Sequence, residues 1–357
     1  MNTFDQMIDR GHERVCFHHD PGSGLRAIIA VHSTRLGNAL GGTRRWHYAT
    51  EADALHDVLR LSEAMTYKAA AAGLPMGGGK SVVLLPRPGH PPTEAEARAM
   101  GRFVDTINGQ YIAGEDVGTD PQYMDWMALE TRHVTGGNHR SPGGDPSPYT
   151  ARGVVHAMRA ALAHLGKPAE FRGLTVAIQG VGNVGYHLAS ILAAEGARLV
   201  IADIVAERSD RAVKEFGATA VSPKEILTVE CDILSPCALG GVIDTNLARR
   251  LRCRILAAGA NNPLDDPNED AVVLKNLGIL YVPAFLANAG GLIHLAGTYL
   301  GMSDREIDRK IAGIEATVAR VLREAELAPS TYAAAIAHAN RRIKDGSRSA
   351  KEKARAR

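Results

Sequence analysis

Residues 179–185 read QGVGNVG, a run whose glycines have the spacing Gly-x-Gly-x-x-Gly. The run follows a stretch of β character at residues 174–179 and precedes a helical pattern at residues 184–195. Glycines at this spacing let the backbone turn tightly and approach a pyrophosphate, which rests on the N-terminus of the helix. The alternative is a glycine-rich turn that only packs the helix against the strand. We favour the phosphate site because strand, turn and helix occur in the required order.

Asp203 extends this motif into a dinucleotide site. It lies 18 residues beyond Gly185, at the end of the next predicted strand, residues 198–203. An acid at this place accepts hydrogen bonds from the adenosine ribose hydroxyls and repels a 2′-phosphate. No arginine follows it immediately. The sequence therefore predicts NAD rather than NADP as the bound dinucleotide.

Strands and helices alternate around this motif, which predicts a parallel sheet covered by helices. Upstream, residues 136–148 read GGNHRSPGGDPSP and have the turn composition of a linker. We expect a first domain at residues 1–138 and a dinucleotide-binding domain at residues 149–328. A C-terminal helix at residues 329–345 is expected to return to the first domain, and residues 346–357 to form a basic, disordered tail.

A second glycine run, LPMGGGKS at residues 74–81, invites comparison with a phosphate-binding P-loop. The P-loop pattern requires a glycine at Leu74, whereas the nearest upstream glycine is Gly73, one place too far. A strand pattern at residues 81–86 follows the glycines, where a P-loop requires a helix. Lys80 therefore needs another explanation.

Lys80 and Lys68 are predicted to leave the same corner, between a helix at residues 51–72 and the strand that follows the glycines. A protonated lysine can pair with an α-carboxylate, and a second lysine close to it would lose its proton more easily and act as a base. Two solvated surface lysines are the alternative. The glycines beside them, which admit a substrate to the backbone, favour an amino-acid site.

Composition and charge exclude several classes of function. The chain has 357 residues, 45% of them hydrophobic, and a formal charge of +2, so no global field favours nucleic acid or membrane surfaces. No apolar segment is long enough for a membrane span or signal peptide, which predicts a cytoplasmic protein. The four cysteines lack metal-ligand spacing, so no metal site is expected. The basic residues 341–357 are expected to be a solvated terminus rather than a phosphate grip.

Taken together, the motifs resemble those of the leucine, phenylalanine and valine dehydrogenases of the glutamate dehydrogenase superfamily. The resemblance runs in order from Arg26 to Ala296. The motifs that carry it are Gly41-Gly42-Thr43-Arg44, MTYK (65–68), LPMGGGKS (74–81), GEDVGT (114–119), PSPYTARGV (146–154), QGVGNVG (179–185), SPCALGG (235–241), GANN (259–262) and NAGGLIHL (288–295). It implies an α/β enzyme with an N-terminal substrate domain, a C-terminal Rossmann-type NAD-binding domain and an active site in an interdomain cleft.

The resemblance also implies roles for individual residues. Lys68 matches the lysine that binds the substrate carboxylate together with the backbone at Gly41 and Gly42, Lys80 the base that activates water, and Asp116 the acid that moves protons to and from the amine. Asn262 matches an amide that contacts substrate and nicotinamide, and Thr150 a hydroxyl near the carboxamide. The implied cofactor-binding set is Thr150, Gly180, Gly182, Asn183, Val184, Gly185, Asp203, Cys237, Ala238, Asn261 and Asn262.

The implied reaction is the reversible oxidative deamination of an L-amino acid to a 2-oxo acid, ammonia and NADH. By resemblance the substrate side-chain pocket contains Leu40, Gly114, Leu292 and Leu295. Glutamate-specific relatives carry a lysine where Leu40 stands, so a glutamate carboxylate would be buried without a partner. Gly114 leaves room for a ring, which favours an aromatic amino acid over leucine or valine and leaves tryptophan open.

Two other classes of function stay open at this stage. The first is a catalytically inactive nucleotide-binding sensor on the same fold, which has no need of both Lys80 and Asp116. The second is a nucleic-acid binder that uses the basic tail. The favoured partners are an amino acid, its 2-oxo acid and ammonia, without nucleic acid or membrane, in a homo-oligomer.

Overall fold

The computed structural model describes residues 2–138, 144–238 and 240–355, with the side chains up to residue 346. The chain forms two compact units. The first comprises Met1–Asp145, Ile293–Ile307 and Ala339–Arg357, and the second comprises Pro146–Leu292 and Asp308–His338. The predicted two-domain α/β fold is confirmed.

The first unit is built on a five-stranded mixed sheet in the order β1-β2-β4-β3-β5. Its strands are β1 (Arg14–Asp20), β2 (Leu25–Ser33), β3 (Ala39–Trp46), β4 (Gly77–Leu84) and β5 (Tyr111–Glu115). Its first four helices are α1 (Thr3–Arg10), α2 (Glu51–Ala71), α3 (Glu94–Asp105) and α4 (Pro121–Ala128). Strand β3 runs parallel to both β4 and β5, so the carboxyl ends of these three strands lie at the same edge of the sheet.

Helices cover both faces of this sheet because its strands alternate apolar side chains to either side. One face packs with α3 and α4 in a core that includes Val83, Phe103 and Met124. The other face packs against α2 through Ile28, Val82 and neighbouring residues of that helix. The helix starts with a capping box in which Thr50 and Asp53 bond each other's backbone.

The second unit contains a parallel six-stranded sheet in the order β11-β10-β9-β6-β7-β8. Its strands are β6 (Thr175–Gln179), β7 (Arg198–Ala202), β8 (Thr219–Ala220), β9 (Ile233–Pro236), β10 (Ile255–Ala257) and β11 (Leu280–Val282). The remaining helices of the chain are α5 (Ser147–His164), α6 (Asn183–Ala194), α7 (Ala206–Phe216), α8 (Thr245–Ala248), α9 (Pro267–Asn276), α10 (Ala284–Ala287), α11 (Gly290–Tyr299), α12 (Asp304–Glu324) and α13 (Thr331–Arg355). This is the doubly wound strand order of a Rossmann fold. The chain adds strands outward on one side from β6 to β8, then crosses over and adds β9 to β11 on the other side of β6.

The compact units differ from the predicted domain limits near the C-terminus. Residues 293–307, expected in the second domain, group with the first unit, and so do residues from Ala339 onward. Helix α13 continues to Arg355, where we expected a disordered tail. Part of the expected linker, residues 139–143, lies outside the described residues. The division into functional domains therefore stays a prediction.

The described part of the chain contains no helix that is both long and apolar enough to cross a membrane. Across the same residues, no cluster of three His, Cys, Asp or Glu side chains could hold a metal ion. All four cysteines are free thiols, two of them buried.

Candidate active site

A buried group of charged side chains lies at the carboxyl edge of the first unit's sheet. Lys80 Nζ lies 2.8 Å from Asp116 Oδ1. Arg44 Nε donates to the other oxygen, Asp116 Oδ2, at 2.8 Å, and its Nη1 lies 3.0 Å from Asp57 Oδ2. The Lys80 residue is only 4% exposed. Two cations therefore share one carboxylate in a site largely closed to water.

Three neighbouring strands bring these side chains together. Lys80 lies on β4 and Asp116 directly follows β5, while Gly41 and Gly42 lie on β3 between them. A Cβ atom at Gly42 would lie 3.1 Å from Lys80 Nζ and 2.7 Å from the Cβ of Asp116. At Gly41 it would overlap the carbonyl oxygen of Gly79. Only glycine at both positions leaves the backbone open beside the charged pair.

The glycines before Lys80 are part of strand β4, not of the turn that the sequence suggested. Strand β4 begins at Gly77, and a Cβ at Gly78 would overlap the backbone nitrogen of Thr66 on α2. At Gly79, the added atom would lie 2.7 Å from the ring of Tyr111. The glycines thus let α2 and Tyr111 pack directly on the strand, and this close packing holds Lys80 in the buried site.

Lys68 lies on the last turn of α2 and faces the same charges. Burial and the positive charge of Lys80 lower the pKa of Lys68 to about 7, and Asp116 opposes this shift. Charged and neutral forms of Lys68 are therefore both populated near neutral pH. An added carboxylate would favour the charged form.

The electrostatics of Lys80 and Asp116 are coupled. Burial lowers the pKa of Lys80, Asp116 acts in the opposite direction, and Arg44 lowers it further. Burial alone would raise the pKa of Asp116, but Lys80 and Arg44 together bring it to about 2. At neutral pH Asp116 is thus ionised, and it lies beside a lysine whose ammonium form is disfavoured.

Apolar and small residues line the sheet face that carries Lys80. Gly114 pairs with Gly42 across β3 and β5 and so faces the same side, and Leu40 lies two residues before Gly42 on that face. A Cβ at Gly114 would lie 3.4 Å from Leu295 Cδ1 and 3.6 Å from Thr135 Cγ2. Of the residues predicted for the side-chain pocket, Leu40, Gly114 and Leu295 therefore belong to the first unit.

Leu292, the fourth predicted pocket residue, lies one turn before Leu295 on α11 and is buried. It belongs to the second unit, whereas Leu295 belongs to the first. Leu295 is anchored by its carbonyl, which accepts a hydrogen bond from the hydroxyl of Thr135 at 2.8 Å.

Sequence reasoning missed Arg44 and Asp57, which join the charged group, and Glu115, a partly buried acid next to Asp116 in the chain. Arg44 was part of a quoted motif and shares the face of Gly42 by strand alternation, which could have identified it. Asp57 is brought to Arg44 only by the packing of α2. Glu115 accepts a hydrogen bond from Gly137 N at 3.1 Å, and burial raises its pKa to about 7, against the effect of that hydrogen bond.

The second unit contains the glycine motif at the carboxyl end of β6. Gly180 has a φ of 86°, which favours glycine, and a Cβ at Gly185 would overlap the carbonyl oxygen of Gly180. Gly182 is the N-cap of α6 and supplies no side-chain hydrogen bond. The backbone N–H groups at the start of the helix, at Asn183 and Val184, are therefore not capped by a side chain of that residue. These features fit a pyrophosphate at the helix N-terminus.

Asp203 is fixed at the end of β7, next to this motif. Its Oδ2 accepts a hydrogen bond from Val181 N at 2.9 Å, and its Oδ1 accepts one from Val205 N at 2.9 Å. Arg208 lies nearby, with Nη1 3.7 Å from Asp203 Oδ1. No arginine directly follows Asp203 in the chain, but α7 brings Arg208, five residues further along, close to it.

The remaining predicted cofactor residues of the second unit lie in two groups. Cys237 N donates to the carbonyl of Gln179 at 2.7 Å, and a Cβ at Gly180 would lie 2.9 Å from the Cβ of Ala238. Asn261 and Asn262 lie in the loop that follows β10. There the backbone N–H of Gly241 donates to the carbonyl of Asn262 at 2.7 Å. Asn262 has a φ of 49°, in the left-handed region.

Thr150 lies on the first turn of α5, where its hydroxyl donates to the carbonyl of Pro146 at 3.1 Å. Gly291 must be glycine beside it, because a Cβ there would overlap the Thr150 hydroxyl.

Family models match both units of the chain. Residues 12–133 match a family model described as Glu/Leu/Phe/Val dehydrogenase, dimerisation domain. Residues 143–207 and 201–347 match one described as Glutamate/Leucine/Phenylalanine/Valine dehydrogenase.

Individual relatives cover nearly the whole chain. A leucine dehydrogenase of Geobacillus stearothermophilus is 45% identical over 96% of this chain and 94% of its own. A valine dehydrogenase of Streptomyces virginiae is 42% identical over 97% of each. The crystal structure of L-tryptophan dehydrogenase from Nostoc punctiforme superposes with a TM-score of 0.82 and 36% identity, covering 97% of this chain and 99% of that one.

Several members of one enzyme family thus match this chain from end to end, although they differ in the amino acid that their names give. The chain belongs to the glutamate, leucine, phenylalanine and valine dehydrogenase family and is an amino-acid dehydrogenase, an oxidoreductase that acts on CH–NH2 donors.

Proposed function

We propose that the protein uses NAD to deaminate an apolar L-amino acid, giving the 2-oxo acid, ammonia and NADH in a reversible reaction. The buried Lys80–Asp116 pair beside Gly42 carries the proposal, because a lysine that releases its proton readily lies 2.8 Å from an ionised carboxylate, close enough for protons to pass between them. A nucleotide-binding sensor has no need of this pair.

Each residue of the pair has a separate task in this reaction. A bound nicotinamide ring would supply the acceptor for the hydride that leaves Cα. Neutral Lys80 takes a proton from water as its oxygen bonds to the imine carbon, and Asp116 accepts and returns protons as the carbon–nitrogen bond breaks. One amino acid, one NAD⁺ and one water then give one 2-oxo acid, one NADH, one ammonium ion and one proton.

The dinucleotide residues of the second unit support NAD. Asp203 is held beside the glycine motif by two backbone N–H groups, where it can accept hydrogen bonds from ribose hydroxyls. Arg208 lies within 4 Å of that carboxylate and would soften its repulsion of a 2′-phosphate, so we propose a preference for NAD rather than strict exclusion of NADP. We also propose a homo-oligomer, which the dimerisation domain named by the family model supports.

We propose that Lys68 and the backbone at Gly41 and Gly42 bind the substrate carboxylate. Because the pKa of Lys68 is about 7, a carboxylate that needs the charged lysine must bind together with a proton above that pH. For an amine-free analogue such as 4-methylpentanoate, we expect the inhibition constant to rise about tenfold per pH unit above about pH 7. Competitive inhibition measured from about pH 6 to about pH 9 tests this.

The matched variant for this prediction is Lys68→Arg, whose side chain stays charged throughout that range. Its inhibition constant should be almost independent of pH. Parallel pH profiles in the wild type and in Lys68→Arg would remove Lys68 from the carboxylate site.

For the side chain of the substrate, we propose a pocket beside Gly114 and Leu295 that prefers an aromatic amino acid, with leucine and valine as weaker substrates. Leucine, valine and tryptophan dehydrogenases among the relatives support an apolar side chain. Gly114 supports the larger ring, because glycine has no side-chain methyl group and so leaves more volume in the pocket than alanine would.

Gly114→Ala tests the pocket. The new methyl would meet Leu295 and Thr135 at 3.4 and 3.6 Å, near ordinary van der Waals contact, so the fold should tolerate it while the pocket loses volume. One methyl is worth about 1–3 kcal/mol of discrimination, so the ratio of kcat/KM for leucine over phenylalanine or tryptophan should rise about tenfold or more. An unchanged ratio in a folded variant would mean that Gly114 does not line the pocket.

A further inference from the structure

The carboxylate of Asp116 is held from two sides. Lys80 contacts Oδ1 and Arg44 contacts Oδ2, each at 2.8 Å. Arg44 is itself held by Asp57, whose Oδ2 also accepts a hydrogen bond from the hydroxyl of Tyr48 at 2.7 Å. Arg60 contacts the other oxygen of Asp57 at 2.7 Å and does not touch Asp116. The charges thus form a chain from Lys80 through Asp116 and Arg44 to Asp57.

The two cations on Asp116 differ in chemistry. A guanidinium keeps its charge at any pH a protein tolerates, whereas a buried lysine can become neutral. If Lys80 were the only cation on Asp116, loss of its proton would leave a buried carboxylate without a counter-charge, and the pair would resist that step. Arg44, with a side chain only 17% exposed, keeps Asp116 paired in both states of Lys80.

We propose that Arg44 is a positioning residue of the deamination reaction, which holds Asp116 from the side opposite Lys80 so that the lysine can give up its proton while the carboxylate stays charged and in place. The inference rests on the function proposed above for Lys80 and Asp116. Asp57, which also accepts a hydrogen bond from Tyr48, holds the guanidinium in the orientation that reaches Asp116.

Several charged groups act on the protonation of Lys80. Asp116 and Asp57 favour the ammonium form of Lys80, whereas Arg44 disfavours it. Lys68, on α2, lies close enough for its own pKa to be lowered by Lys80. Without Arg44 the pKa of Lys80 rises. Deamination needs neutral Lys80, so the fall of kcat toward low pH should begin at a higher pH.

Arg44→Met and Arg60→Met form a matched pair, because both remove a cation from Asp57 but only the first removes one from Asp116. We expect Arg44→Met to lower kcat about 10- to 100-fold near neutral pH and to move the low-pH limb of kcat upward by about one unit, with a smaller change in KM. In Arg60→Met, the fall of kcat toward low pH should begin at the same pH as in the wild type. Arg44→Lys, which restores a cation, should recover part of both effects.

Two further measurements keep the test decisive. NADH binding to each purified variant reports whether the chain is folded, and if Arg44→Met does not fold, Arg44→Gln takes its place because it removes the same positive charge and keeps a polar side chain. A folded Arg44→Met variant with the wild-type low-pH limb would overturn the proposal, and so would an equal shift in Arg60→Met. Turnover retained by Lys80→Ala would instead refute the underlying function.

Discussion

Replacing Lys80 with alanine is expected to lower kcat for deamination by about 10²- to 10⁴-fold, the usual contribution of a general base. The variant lacks the side chain that we propose takes a proton from water, next to Asp116. The fold should survive, because Asp116 keeps its ion pair with Arg44 at 2.8 Å and is not left as an unpaired buried carboxylate. Initial rates of NADH formation at saturating substrate measure the effect.

The control for this variant is Ser81→Ala, one residue along the same strand. Ser81 points to the opposite face, where its hydroxyl bonds Thr43 Oγ1 at 2.9 Å. Its loss should lower stability by about 1–3 kcal/mol and leave kcat within about threefold of the wild type. NADH should bind both variants normally, since the glycine motif lies in the second unit. A Lys80→Ala variant that keeps more than about a tenth of wild-type kcat would contradict the assignment.

The second large effect concerns glutamate. In the pocket proposed above, its side-chain carboxylate would lie beside Leu40, a fully buried apolar residue on the same sheet face as Gly42 and Gly114. Burying an ionised carboxylate without a partner costs several kcal/mol. We therefore expect kcat/KM for glutamate to be at least about 10³-fold below that of the best apolar amino acid, a difference of about 4 kcal/mol.

Steady-state rates with glutamate and leucine on one enzyme preparation give this ratio directly. Glutamate turnover within about tenfold of leucine would place a cation in the side-chain pocket, which conflicts with Leu40.

The second unit was the easier part to predict from sequence. The motif at residues 179–185 and Asp203 depend on local order along the chain, where a strand leads into a turn and then a helix. In a parallel sheet this local order also fixes topology, because each strand end returns through a helix to the same edge. The observed strand order follows that rule.

The first unit was harder because its site depends on contacts between distant residues. Three glycines before Lys80 suggested a turn, but they belong to strand β4, and the close approach of Thr66 and Tyr111 explains why these positions are glycine. Asp57 could not be linked to Arg44 from spacing, since α2 packing brings them together. Likewise, residues 293–307 follow the second domain in sequence but group with the first unit.

The measurement that tests the central claim most directly is the rate of NADH formation from NAD with phenylalanine, tryptophan, leucine, valine and glutamate in parallel, with ammonia released in equal amount. We predict turnover of the apolar amino acids, fastest with an aromatic one, and almost none of glutamate. If leucine or valine is the best substrate, the proposed mechanism stands, but the proposed aromatic preference of the pocket at Gly114 is wrong. Turnover of glutamate alone, or of none of the five, would contradict the proposal.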